Sequence, residues 1–308
     1  MKVVFLFPGQ GSQQPGMLHD LPDHPVIMAT LEEASRVLGM DVLLLDHEKA
    51  LISTVATQLS LLITSVACAR ALRAEGTVVD MVAGHSVGAF AAAVIAGSLD
   101  FKDALPLVKL RGELMEKAYP NGYGMGVITG LTEQQIEVII NQVSTDAAPV
   151  YIANLNEHTQ ITIAGAIAGM MSAFTSAVTA GAHKTAMLNV HVPSHCKLLA
   201  EVSVQLSQAI DKVDFRKPNV PYAGNCRARA LRDGEAIRAD LAQSIIYPVR
   251  WHDAMTLYFE LGGRLFIEMR PGRVLSTIVK KSFPCVRAIS LCDLDLHSVT
   301  RLVTREME

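Results

Sequence analysis

The segment VVDMVAGHSVGAFAAAVIAG, residues 78–97, runs from a short apolar strand through a serine between two glycines straight into a helix-forming stretch. A strand that feeds directly into a helix and is followed by another strand of the same kind needs a crossover, the signature of a parallel α/β sheet. The same alternation recurs along the first third of the chain. KVVFLF reads as a buried strand ended by the glycine-rich loop PGQGSQQPG, residues 8–16. Residues 26–39 and 58–75 carry helical periodicity, the second closing at Gly76. FKDALPLVKLRGELMEKAY is a further helix, and NGYG then breaks the chain.

The middle of the chain changes character. GVITGL, TEQQIEVIINQV, APVYIANLN, TQITIAGA, AGMMSAFTSAVTAG and AHKTAMLNVH follow in the order βαββαβ, the ferredoxin-like unit. Residues 124–190 are therefore expected to form a small inserted subdomain, with 1–123 and 191–308 making the larger α/β body. KLLAEVSVQLSQAI resumes that body as a helix, and RLFIEM returns to the main sheet.

Composition narrows the function classes. The 308 residues are 50% hydrophobic and 19% charged, so a large core is available and disorder is excluded. A net charge of −3 without a basic run argues against nucleic acid. Five cysteines, odd in number and without CxxC spacing, read as reduced thiols. VVFLF is too short for a signal peptide, and LSLLITSVACARAL, broken by polar residues, fits a buried helix better than a bilayer span. These features point to a soluble cytoplasmic protein. With no HExxH, no acidic cluster and no ligand spacing, neither a metal nor a bound cofactor is expected.

Gly84-His85-Ser86-Val87-Gly88 fits GxSxG between a strand and a helix, a sharp turn that lifts a serine hydroxyl clear of the sheet. The helix behind it offers free N–H groups for an oxyanion. The plainer reading is a capping serine. A nucleophilic serine needs a base, and ten histidines compete for that role. His195, in VPSHC at the mouth of a helix, is the candidate whose surroundings favour a neutral ring; His191 and His297 are its nearest rivals. Arg111 lies in the apolar stripe Ala104, Leu107, Val108, Leu114, Met115 and Ala118, opposite Lys102, Lys109, Gly112, Glu113 and Glu116. A guanidinium placed there must meet an anion, either an internal Asp or Glu or a substrate carboxylate gripped by the planar fork. PGQGSQQPG lacks the GK[ST] ending of a phosphate loop, yet it can still aim backbone N–H groups at an anion.

Taken together, FPGQGSQ, GHSVG, LRG, VPSHC and PGRVL resemble, in order and from about residue 3 to 280, the malonyl-CoA:acyl carrier protein transacylase family. The resemblance implies an α/β-hydrolase-like body carrying a ferredoxin-like subdomain. It further implies Ser86 as the acyl-carrying nucleophile, His195 as its base, and the N–H groups of Gln10 and Val87 as oxyanion donors. Arg111 would hold the malonyl carboxylate, the Ser244 carbonyl would orient His195, and Asn156 and Asn225 would lie near the site. Substrate malonyl-CoA and an acyl carrier protein follow as partners.

The family usually reads GHSLGE where this chain has Val87 and Ala89, and Ser244, Tyr247, Arg250 and Arg270 are further departures. The GHSVGAF form most resembles the epsilon subunit of malonate decarboxylase, whose acceptor is the decarboxylase's own carrier subunit. Three alternatives remain: a transacylase of fatty acid synthesis, a serine hydrolase (thioesterase or esterase) drawing acid and histidine from CDLDLH at 292–297, and a non-catalytic docking subunit.

Overall fold

The computed structural model describes residues 1–119, 121–190 and 192–307. The chain is mixed α/β, built on two sheets. Its larger sheet starts with β1 (Lys2–Phe7), whose last five residues are fully buried. Val3, Phe5 and Phe7 face one apolar cluster, while Val4 and Leu6 face another. Burial on both faces explains why this strand is an unbroken apolar run instead of an alternating one.

After β1 come α1 (Pro25–Leu38), α2 (Thr54–Ala74), β2 (Met81–Gly84), α3 (Gly88–Ile95) and α4 (Phe101–Ala118). β2 is shorter than the expected strand, because Val78 and Val79 only lead into it and the Asp80 carboxylate accepts the Val3 N–H. α2 begins earlier than expected, where the Ser53 side chain accepts the Ala56 N–H as a cap. By length and composition this run is apolar enough to cross a bilayer, but the buried helix expected from sequence is what the fold contains. It is 89% buried in the fold, which makes it the central core helix.

The second sheet follows in one stretch: β3 (Tyr123–Thr129), α5 (Glu133–Val143), β4 (Val150–Glu157), β5 (Gln160–Ala166), α6 (Ile167–Thr179) and β6 (Lys184–Met187). Its order is β4-β5-β3-β6 and every pairing is antiparallel. β3 begins at Tyr123, one residue ahead of the expected boundary, and the last residue of the expected final strand, His191, lies outside the described residues.

The chain then returns to the first sheet. A short 3-10 turn at Lys197–Leu199, where a continuous helix was expected, leads into α7 (Ala200–Ile210). β7 (Tyr222–Ala223), β8 (Ala230–Leu231), α8 (Gly234–Gln243), α9 (Trp251–Glu260), β9 (Gly263–Glu268), α10 (Val274–Ser282), β10 (Arg287–Ser290) and α11 (Leu296–Met307) complete it. The strand order is β10-β9-β1-β2-β7-β8, parallel except for the edge hairpin of β7 with β8.

Two consequences of this topology bear on function. Register pairs Phe7 with Gly84, so the loop after β1 and the serine turn after β2 emerge side by side at the carboxyl ends of parallel strands. Ligand sites in such sheets form at that edge. The second sheet is tied to the first by main-chain bonds between β4 and Val249, whose N–H donates to Ala153 O at 2.9 Å and whose O accepts from Leu155 at 2.8 Å. Arg250 adds an ion pair to Glu133 on α5.

Candidate active site

Ser86 sits at φ 55°, a left-handed conformation that ordinary side chains avoid and that costs roughly 1–3 kcal/mol. Close packing leaves the turn no alternative. A Cβ on Gly84 would stand 2.1 Å from Gly88 O, and one on Gly88 would stand 2.2 Å from Phe7 O. The serine is thus pressed onto the edge of the sheet, with α3 starting two residues later.

His195 comes from the segment before α7, also left-handed at φ 61°, and only 2% of it is exposed. Its Nε2 lies 2.8 Å from Ser86 Oγ and its Nδ1 lies 2.5 Å from Ser244 O. A carbonyl can only accept, so Nδ1 carries the proton and Nε2 is left to accept the serine hydroxyl. Ser244 caps the end of α8, where unpaired carbonyls and the negative dipole end suit a donor. Burial first, and the Arg111 charge second, push the His195 pKa down to about 3. The ring is therefore neutral across the physiological range, through desolvation more than through the helix end expected from sequence.

Arg111, on α4, is 1% exposed. Its Nη1 donates to Gln58 Oε1 at 2.6 Å and its Nη2 to Ser86 Oγ at 3.2 Å, while Nε has no partner. Among the described residues no carboxylate pairs with it, so the internal Asp or Glu is absent and burial lowers its pKa to about 10. A buried cation with open donors beside a serine hydroxyl is arranged to receive an anion. The opposite face of α4 is less exposed than its pattern suggested: Gly112 packs on the start of α2, where a Cβ would lie 2.7 Å from Val55 Cα.

The structure puts Gln10 in the loop after β1 and Val87 at the start of α3, and neither N–H is taken by another group among the described residues. Gln10 also lines a cleft of about 960 Å³ between the 8–16 loop and Asn189, Val190 and Val192, with Tyr119 and Ser53 on its wall. Asn225 and Asn156 support the turn more than they line it. Asn225 Oδ1 accepts the Ser86 N–H at 3.0 Å and its Nδ2 donates to Gly84 O at 2.9 Å. Asn156 Oδ1 accepts from His85 Nε2 at 3.1 Å, and His85 packs against Trp251.

Of the rival histidines, His297 is exposed on α11 and does not join this group; His191 lies outside the described residues. The acids of CDLDLH are engaged elsewhere, Asp293 by Arg273 and Asp295 as a cap for Ser298. Arg250 and Arg270 are occupied structurally, the first by Glu133 and Asp253, the second by the carbonyls of Leu291 and Asp20. Sequence reasoning missed Gln58, which joins Arg111 to Met115 and to the Gln10 side chain. A glutamine inside the most apolar helix was its available signal.

Residues 4–294 match the acyl transferase domain family. The chain is 36% identical over 300 residues to the malonyl CoA-acyl carrier protein transacylase of Haemophilus influenzae, covering 95% of this chain and 96% of that one. It is 35% identical to the corresponding protein of Escherichia coli K12, covering 94% and 95%. Among solved structures, the malonyl CoA-acyl carrier protein transacylase of Coxiella burnetii superposes with a TM-score of 0.92 at 34% identity, covering 99% of this chain and 96% of that one. A malonyl-transacylase in complex with its type II PKS acyl-carrier protein superposes with a TM-score of 0.92 at 36% identity, covering 97% and 99%.

Proposed function

The chain belongs to the acyl transferase domain family, and from that premise we propose that it moves a malonyl group from malonyl-CoA to the thiol of an acyl carrier protein. Ser86 attacks the thioester carbonyl as His195 Nε2 takes its proton. The tetrahedral oxyanion is met by the N–H groups of Gln10 and Val87, each such donor worth roughly 3 kcal/mol. Collapse expels the CoA thiolate, which recovers the proton from His195, and leaves a malonyl-serine. The carrier thiol then repeats the sequence in reverse, so one thioester exchange becomes two easier steps. Throughout, the free malonyl carboxylate rests on Arg111. Protein side chains and backbone supply all of this chemistry, without a cofactor.

The single observation that carries the reading is Arg111: a buried guanidinium with no acidic partner among the described residues, one of whose N–H groups points at Ser86 Oγ. A hydrolase of ordinary type would give it no task, and its acid and histidine would have to come from a segment engaged elsewhere. The same proposal takes residues 1–123 and 191–308 as an α/β-hydrolase-like body and 124–190 as a ferredoxin-like subdomain, acting in the cytoplasm. Parallel pairing in the first sheet and the βαββαβ order of the second support that description. The GHSVGAF form favours the carrier subunit of malonate decarboxylase as acceptor.

Incubation with labelled malonyl-CoA and a set of carrier proteins tests the proposal. Label should pass to a carrier thiol, and fastest to the malonate decarboxylase carrier subunit. Release as free malonate would mark a hydrolase, and no labelling at all a docking subunit.

A further inference from the structure

Behind the serine turn lies a buried carboxylate that the reaction does not use. Asp240 on α8 is 8% exposed and has no cationic partner among the described residues. Its Oδ2 accepts the Asn225 N–H at 2.9 Å and the Tyr222 hydroxyl at 3.1 Å, and its Oδ1 accepts the Cys226 N–H at 3.0 Å. Two successive backbone N–H groups and a phenol thus converge on one carboxylate. Burial pushes its pKa up while these donors pull it down. Without them the carboxylate could not remain at this depth.

The loop so fixed carries Asn225, whose amide spans the turn from Gly84 O to Ser86 N. That bridge has two effects. It holds Ser86 in its left-handed backbone, a conformation that persists only when the surroundings over-determine it. It also occupies the Ser86 N–H, leaving Val87 as the free donor of the turn.

We propose that Asp240 is a positioning residue for the nucleophile, acting through Asn225 to hold the Ser86 hydroxyl between His195 and Arg111. The proposal rests on Ser86 being the nucleophile, but it does not depend on which acyl donor is used. Asp240→Asn is nearly isosteric and replaces one acceptor with an NH₂ group, which then faces an N–H. One of the two loop anchors is lost without a change in volume.

The test reads Ser86 reactivity with diisopropyl fluorophosphate, in which Ser86 Oγ bonds to phosphorus, fluoride leaves and His195 takes the proton. Relative to wild type, Asp240→Asn should lower the labelling rate by about tenfold or more, since small misplacements of reacting groups cost that much. Malonyl-CoA acylation should fall by a similar factor in its maximal rate, with little change in KM. In an Asn225→Ala background the effect of Asp240→Asn should vanish, because the link it acts through is already cut. Tyr222→Phe, a milder removal of one donor, should slow labelling in the same direction and covers the case in which Asp240→Asn does not fold. Unchanged labelling in folded Asp240→Asn, or an equal loss with and without Asn225, would overturn the proposal. Normal labelling of wild type with no acylation by malonyl-CoA would instead overturn the transacylase reading and leave Asp240 in its role.

Discussion

At the scale of single residues, the site spends stability on function. Arg111 is desolvated and pairs with no acid among the described residues, so it should be a burden to the free protein and an asset only with substrate bound. Arg111→Met, which keeps bulk and removes charge, is expected to melt at or above the wild-type temperature; a fall of several degrees would make the guanidinium a structural element. Arg111→Ala should weaken malonyl-CoA use by several kcal/mol, since a buried pair broken on one side costs about 3–5 kcal/mol. Acetyl-CoA, with no carboxylate to strand, should be used as well or better, and Arg111→Lys should not restore the bidentate grip. Equal losses for both donors would assign selectivity elsewhere. His195 sets a second expectation. Its base form must be unprotonated, and with a pKa near 3 it stays so far below the ordinary histidine value. Rapid-quench acylation rates between pH 4 and 8 should therefore show no acid limb near 6.5; a limb there would mean a solvated, ordinary ring.

At the scale of elements, the serine turn is defined by approach distances. Gly88→Ala forces a methyl onto the Phe7 carbonyl, so β1 and α3 must part, with an expected cost of about 3 kcal/mol in urea unfolding. A loss within experimental error would mean the turn has slack. This element was legible in the sequence because its requirements are local: an apolar strand, two glycines, a serine and a helix within twenty residues. β1, the alternation that follows it and the βαββαβ order of residues 123–187 were legible for the same reason. What joins distant segments was not. The Asp240–Asn225 anchor and the Gln58–Arg111 contact are set by packing of separate elements, and no periodicity encodes them. The Ser244 carbonyl came only from a family resemblance, because any residue can supply a carbonyl. β7 and β8, at two residues each, are too short to show alternation, so the sequence pattern does not announce them.

At the scale of the whole molecule, the two sheets meet around the site, with the β4–Val249 bonds and the Arg250–Glu133 pair on one side and the turn held by Asn225 and Asn156 on the other. Desolvation of the buried His195 and the partly buried His85 in this junction links folding to pH. His195 and His85 are held near 3 and near 4 by desolvation, so the unfolded chain takes up protons below 6.5 that the fold refuses. Their contribution is complete above 6.5 and is lost as pH falls towards those values. Thermal melts should show wild type losing more stability between pH 6.5 and 4 than His195→Asn does; parallel curves would contradict the burial of a neutral ring. The central claim is that the molecule is assembled to hold an acyl group on one serine. Intact-mass spectrometry after mixing with malonyl-CoA tests it most directly: wild type should gain one malonyl group and Ser86→Ala none, whereas a full adduct on the alanine variant would contradict the account.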